Sequence, residues 1–225
     1  MVGFKPAEAI ENLQNRACRI LLKRAENHDA RFRDLIQTLF EQVLQTIGGL
    51  HGQKVVRLES GILISSAATI TPFHYDPEIG CFSQIEGEKM YHVYPPAVIS
   101  DKQLERSCLS TPVNLSPLEL GSVDPTREYV FRLTAGKGFH QPQNSPHWVE
   151  TGNSRSISYT FVFETDATRA VARTRAFNHY LRKLRLHPTP PGTRPAADAA
   201  KSYTMRMVIP VRRQVGSVVN KLRFG

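Results

Sequence analysis

The chain has 225 residues, enough for one well-buried domain with additions. Its composition is ordinary for a globular protein, and no apolar run approaches the length of a membrane span. The net charge of +9 is uneven: residues 1–165 hold 16 Lys and Arg against 18 Asp and Glu, whereas residues 166–225 hold 13 against 2. The basic character therefore belongs to the tail. Such a tail suits nucleic acid, an acidic protein or a membrane surface, or it is a solvated extension that serves dimer packing. Cys18, Cys81 and Cys108 are scattered. They form neither a metal-binding spacing nor a disulfide framework and read as reduced structural thiols. The first residues, Met1-Val2-Gly3-Phe4-Lys5-Pro6, lack a charged-then-apolar leader, so a cytoplasmic location is expected.

In chain order, residues 6–27 are predicted to be a helix. Pro6 suits a first helical turn, and Ile10, Leu13, Ala17, Ile20 and Leu21 recur at helical spacing. Asp29 can cap a second helix whose apolar face runs Phe32, Leu35, Ile36, Leu39, Phe40, Val43, Leu44, Ile47, ended by Gly48-Gly49. From Val55 the period changes. Val55–Leu58, Ile62–Ser66, residues 80–85 and residues 89–94 read as strands, the last two turned at Glu86-Gly87-Glu88. Pro95-Pro96 stops the last, because proline cannot donate to a ladder. Residues 97–126 are irregular, with a short helix at Leu104–Ser107, and such inserts are functional or disordered. Strands resume at Tyr129–Leu133 and Phe139–Gln141, then at Trp148-Val149 and Ile157–Glu164. Many short strands between turn residues predict a mainly β protein, a double-sheet jelly roll. A basic helix over 166–186, with Ala170, Val171, Phe177, Leu181 and Leu184 on one face, a proline-stiffened linker and two helices separated by Pro210 complete the chain.

The expected domains are a helical pair (1–50), the jelly-roll core (51–165) and a basic helical extension (166–225). The flanking helices suit packing on the core or a homodimer.

The chemistry concentrates in residues 71–96. His74 and Asp76 stand two apart, and on an extended segment i and i+2 point the same way. A metal ion can lie between such an imidazole and carboxylate. His147 is the third candidate ligand, with His140 as its rival. Two histidines and a carboxylate on one face leave positions open, as at non-haem Fe(II) oxygenase centres, though these ligand types suit Mn(II) and Zn(II) as well.

These residues carry a family resemblance. Thr71-Pro72-Phe73-His74-Tyr75-Asp76, then Gln84-Ile85-Glu86-Gly87-Glu88-Lys89, then Tyr94-Pro95-Pro96, followed later by Pro142, Pro146-His147-Trp148-Val149, resembles the JmjC branch of the cupin superfamily. The nearest likeness is to its small hydroxylases, such as the asparaginyl hydroxylase that acts on hypoxia-inducible factor. The match covers roughly residues 55–165.

The resemblance implies a double-stranded β-helix with flanking helices and an Fe(II)- and 2-oxoglutarate-dependent dioxygenase that releases succinate and CO2. By the same resemblance, His74, Asp76 and His147 hold the metal, and His147 rather than His140 stands where the family places its histidine. Lys89 and Thr71 hold the distal carboxylate of 2-oxoglutarate, and Thr160 approaches its metal-side end. A buried carboxylate needs such a cation. Gly80 departs from the pattern, which has Asn there to help hold the cosubstrate. That contact is either lost or supplied elsewhere, by Ser83, Tyr91 or Thr160.

Phe73, Tyr75, Phe82, Tyr91 and Trp148 either wall the site or are ordinary core aromatics. Residues 97–126 lie where substrate-covering elements occur in the family and are a candidate lid. The substrate is a small molecule or a protein side chain. The competing expectation is a non-catalytic cupin that binds a metal or ligand and acts through its basic tail on nucleic acid or another acidic partner.

Overall fold

The computed structural model describes residues 16–108, 116–117 and 123–224, together with Glu8, Ile10, Glu11 and Leu13, and side chains in the last helix as far as Ile209. The elements are β1 (Arg19–Lys23), α1 (Ala30–Ile47), β2 (Val55–Ser65), β3 (Ile70–Tyr75), β4 (Ile79–Glu86), β5 (Glu88–Val93), α2 (Asp101–Ser107), β6 (Ser116–Pro117), β7 (Tyr129–Thr134), β8 (Gly138–Gln141), β9 (Pro146–Thr151), β10 (Ser156–Thr165), α3 (Asp166–Lys183) and α4 (Pro195–Phe224). They divide between two compact units, Met1–Ile99 with Leu115–Glu164, and Ser100–Asn114 with Thr165–Gly225.

In the first unit two five-stranded sheets run β1-β2-β10-β4-β8 and β6-β3-β9-β5-β7. The chain passes from one sheet to the other between β2 and β3, β3 and β4, and β4 and β5. This is the mainly β, double-sheet jelly roll expected from the sequence. Residues directly opposite in an antiparallel ladder share a face, and faces alternate along a strand. The pairs Tyr91↔Val149, Val93↔His147 and His74↔His147 therefore put these side chains on one face of the second sheet. Gly80↔Gln141, Phe82↔Phe139 and Phe82↔Thr160 do the same in the first.

The two faces meet at the Phe82–Tyr91 and Phe139–Tyr91 ring pairs, with centroids 6.1 and 4.8 Å apart. They enclose a core of Tyr91, Leu133 and Val149 with Phe131 and Phe139 around it. The opposite face of the first sheet is covered by α1. There Ile36 and Phe40 pack on Cys81, Tyr159, Phe161 and Phe163.

Several expectations change here. Residues 19–23 are strand β1, paired with β2, and not the end of a helix; the helical residues described before it are Glu8, Ile10, Glu11 and Leu13. Pairing with an open sheet edge overrides a local pattern that fits either period. Val55–Ser65 is one long strand rather than two. Gly87 does not close a hairpin: β4 and β5 lie in different sheets, so the turn carries the chain across the barrel. The cap at Asp29 forms as expected, accepting a hydrogen bond from the Arg31 amide at 2.9 Å.

In the second unit, a Ser100 capping box starts α2. Buried Glu105 accepts from Arg182 Nε at 2.6 Å, joining α2 to α3. α3 buries Thr174, Ala176 and Asn178 rather than the predicted apolar stripe. Thr174 donates to the Asp198 carbonyl and Asn178 to that of Thr189. Residues 196–224 form one helix through Pro210 rather than two. Of the insert expected to be a lid, residues 101–107 are α2, and residues 109–115 and 118–122 lie outside the described residues. No helix among the described residues is long and apolar enough to cross a membrane.

Candidate metal centre and anion pocket

His74 is the penultimate residue of β3, Asp76 lies just past the end of that strand and His147 is the second residue of β9, all on the inner side of the barrel. A register shift between Thr71 and His74 bulges β3. It turns Phe73 outward onto Tyr94 while Thr71 and His74 stay inward. The three side chains offer ligand atoms within 4.8 Å of one another. His74 Nε2 lies 3.9 Å from Asp76 Oδ1, His147 Nε2 lies 3.8 Å from Asp76 Oδ2, and the two imidazole centroids are 4.1 Å apart.

Both rings are oriented by the same device. His74 Nδ1–H donates to the Pro72 carbonyl at 2.7 Å and His147 Nδ1–H to the Ser145 carbonyl at 3.0 Å. Each Nε2 lone pair is thereby left facing Asp76. A backbone acceptor behind a ligating histidine fixes its tautomer and orientation. Burial, then the His74 ring, pushes the His147 imidazole down to about 4 against the opposing pull of Asp76. It is therefore neutral at neutral pH, as metal ligation requires. Two buried imidazoles and a half-buried carboxylate, convergent, fit a divalent transition metal and suit Fe(II), Mn(II) and Zn(II) by ligand type.

His140, the rival ligand, stands opposite Cys81 on the outward face of β8. It is exposed and outside the cluster.

Lys89 lies further along the inner face of β5, opposite Leu133 and Thr151. It is 3 % exposed. Burial, then the like charge of Arg19, lowers its ammonium to about 8. Among the described residues no carboxylate pairs with it. Arg19 reaches in from β1 and its guanidinium donates to the Thr71 hydroxyl. Burial also depresses Arg19. Lys89, Thr71 and Arg19 thus converge as two cations and a hydroxyl without an acid, an arrangement that favours a bound anion. Sequence reasoning missed Arg19, because it sits in a stretch that reads equally well as helix and is far from the motif.

The remaining candidates fall on both faces. The Thr160 hydroxyl is inward but donates to the Cys81 carbonyl at 2.9 Å. Tyr91 is inward and fully buried; burial, and next the charge of Asp76, raise its phenol. Ser83 faces outward with Tyr159. Trp148 stacks on His92 at 3.7 Å and donates to Glu128 on the outer face of β9, so it does not wall the centre. Tyr75 is buried beyond the bulge, where its partner is Pro146. A side chain at Gly80 would meet Phe82 and Gln141. Gln141 is a second residue that sequence reasoning missed: its amide lies 3.1 Å from His147 Nδ1.

No family profile and no curated protein matches the sequence. Solved structures similar to it include the DMSP lyase DddQ from Ruegeria pomeroyi DSS-3, at 16% identity and TM-score 0.31, over 48% of this chain and 38% of that one. Bacillus subtilis oxalate decarboxylase, with Mn(II) centres, aligns at 12% identity and TM-score 0.33 over 48% and 22%. KdgF from Halomonas sp. aligns at 10% and 0.31 over 49% and 77%. The chain thus spans well under half the length of the first two.

Proposed function

We propose that the protein is an Fe(II)- and 2-oxoglutarate-dependent dioxygenase that hydroxylates a small molecule or a protein side chain. One observation carries this reading. The inner wall of a single barrel holds both a His74/Asp76/His147 cluster and the buried Lys89 ammonium, which has no counter-ion among the described residues. A binding cupin needs the first alone; a cosubstrate with a chelating end and a charged distal end uses both.

His74, Asp76 and His147 would hold the metal, with the Pro72 and Ser145 carbonyls fixing the imidazoles. Fe(II) and 2-oxoglutarate together would supply the activation of O2, one of whose oxygen atoms would go to succinate, released with CO2, and the other to the hydroxylated substrate. Lys89 and the Thr71 hydroxyl would hold the distal carboxylate, and charge-assisted bonds in a dry site make that end the anchor. Phe82, Tyr91 and Phe139 line the interior and exclude water.

The test is anaerobic visible absorption of the metal-free protein with Fe(II), then 2-oxoglutarate. A weak charge-transfer band that needs both additions, and is lost in His74→Ala and in Lys89→Ala, is expected. Iron binding with no 2-oxoglutarate-dependent band would remove the reading and favour a ligand-binding cupin, whose basic tail would then be tested against acidic partners.

A further inference from the structure

Gln141 is 1 % exposed, faces inward from β8 and stands opposite Gly80. One arm of its amide, Nε2, lies 3.1 Å from His147 Nδ1; the other, Oε1, has no hydrogen-bond partner among the described residues. An orphaned amide arm at this depth is costly.

The histidine decides which atom is the orphan. Ser145 O lies 3.0 Å from Nδ1 and can only accept, so Nδ1 carries the hydrogen. Ligation of a metal through Nε2 demands the same tautomer. An NH2 group cannot donate to a nitrogen that is itself a donor. The two arms of an amide are interchangeable by rotation, so the stable arrangement turns Oε1 toward His147 and places the NH2 in the buried position where Oε1 meets no donor among the described residues. Gly80 contributes no side chain that would fill the space beside it: a Cβ there would come 3.8 Å from Gln141 Cβ.

We propose that Gln141 is a ligand-contacting residue of the metal centre, its amide NH2 donating to an oxygen of bound 2-oxoglutarate. This rests on the reading of the centre as a 2-oxoglutarate site. The side chain then has two roles. Its oxygen braces the ring of a metal ligand, and its nitrogen recognises an oxygen-rich ligand and discriminates against one that offers no acceptor there.

Calorimetry on the full-length protein separates the roles: Mn(II) is titrated first, then 2-oxoglutarate into the Mn(II)-loaded protein. Gln141→Met keeps the shape and removes the amide; Gln141→Glu keeps the shape and replaces the donor with an anion. With Mn(II) saturating, so that loss of the brace on His147 is read in the first titration, both are expected to bind 2-oxoglutarate roughly ten- to a hundredfold more weakly than the unaltered protein, Glu the weaker.

Unchanged 2-oxoglutarate affinity in Gln141→Met, or in Gln141→Glu if the Met variant does not fold, overturns the proposal. Loss of Mn(II) affinity with no separate loss of 2-oxoglutarate affinity also overturns it and leaves Gln141 as a brace for His147. If the unaltered Mn(II)-loaded protein binds no 2-oxoglutarate, the proposed function itself fails and the inference falls with it.

Discussion

Lys89 is a residue whose chemistry depends on pH. Its ammonium sits at about 8 rather than the ordinary 10.5 because it is buried and faces Arg19. A bound carboxylate raises that value, so the complex holds its proton to a higher pH than the free protein. Under the proposed function, cosubstrate affinity is then expected to be full below about pH 8. Above it, binding must take up a proton, and the Kd for 2-oxoglutarate is expected to rise about tenfold per pH unit. Calorimetry from pH 6.5 to 9.5 checks this, and Lys89→Met is expected to flatten the profile.

Stability runs with the opposite sign in the ligand-free protein. A lysine depressed by folding contributes stability that is full above the unfolded value and lost as pH falls through about 8. Arg19→Gln removes the like charge, so the break in the affinity profile is expected to move above pH 8. It also removes a cation from the pocket, so affinity at pH 7 is expected to fall by about 1.5–3 kcal/mol.

At the scale of elements, the site depends on connections that switch sheets. Gly87 joins β4 to β5 at φ 72, and a Cβ there would lie 2.3 Å from the Arg155 carbonyl oxygen. Gly87→Ala must therefore move backbone as well as accept a strained conformation. It is expected to destabilise by at least about 1–3 kcal/mol, read by urea unfolding. β4 carries Gly80 and Phe82 and β5 carries Lys89 and Tyr91, so 2-oxoglutarate affinity should fall with it. Phe40→Ala, in the layer where α1 covers the first sheet, is expected to cost about 3–5 kcal/mol while leaving the centre's affinities intact in the folded fraction. The periodicity of α1 was legible because an amphipathic helix on a sheet obeys its own sequence. β1 was not legible, because an apolar pentapeptide takes its conformation from the edge it meets.

For the whole molecule, a centre built from separated strands ties metal binding to folding. His74 and Asp76 belong to the region around β3 and His147 to β9, and they lie together only in the native barrel. Metal that binds the folded chain alone stabilises it by mass action, about 2.7 kcal/mol at a hundredfold excess over Kd. Thermal unfolding is therefore expected to shift upward with Mn(II) or Fe(II) and to shift back on chelation. In His147→Ala the metal should produce almost no shift.

The sequence by itself determined the jelly-roll class, the α1 cap and the convergence of His74 with Asp76, because these follow from local periodicity and short spacing. It also pointed to Lys89 through resemblance. Tertiary structure decided which of two adjacent residues on β8 faces the centre, since strand parity becomes a face only when the sheet has a partner: Gln141 is inside and His140 outside. It placed Trp148 on the outer wall through the same parity. It brought Arg19 beside Thr71, a contact across the two sheets that no local pattern encodes. Local rules select elements; the facing of buried polar groups is set by which strands the closed barrel makes neighbours.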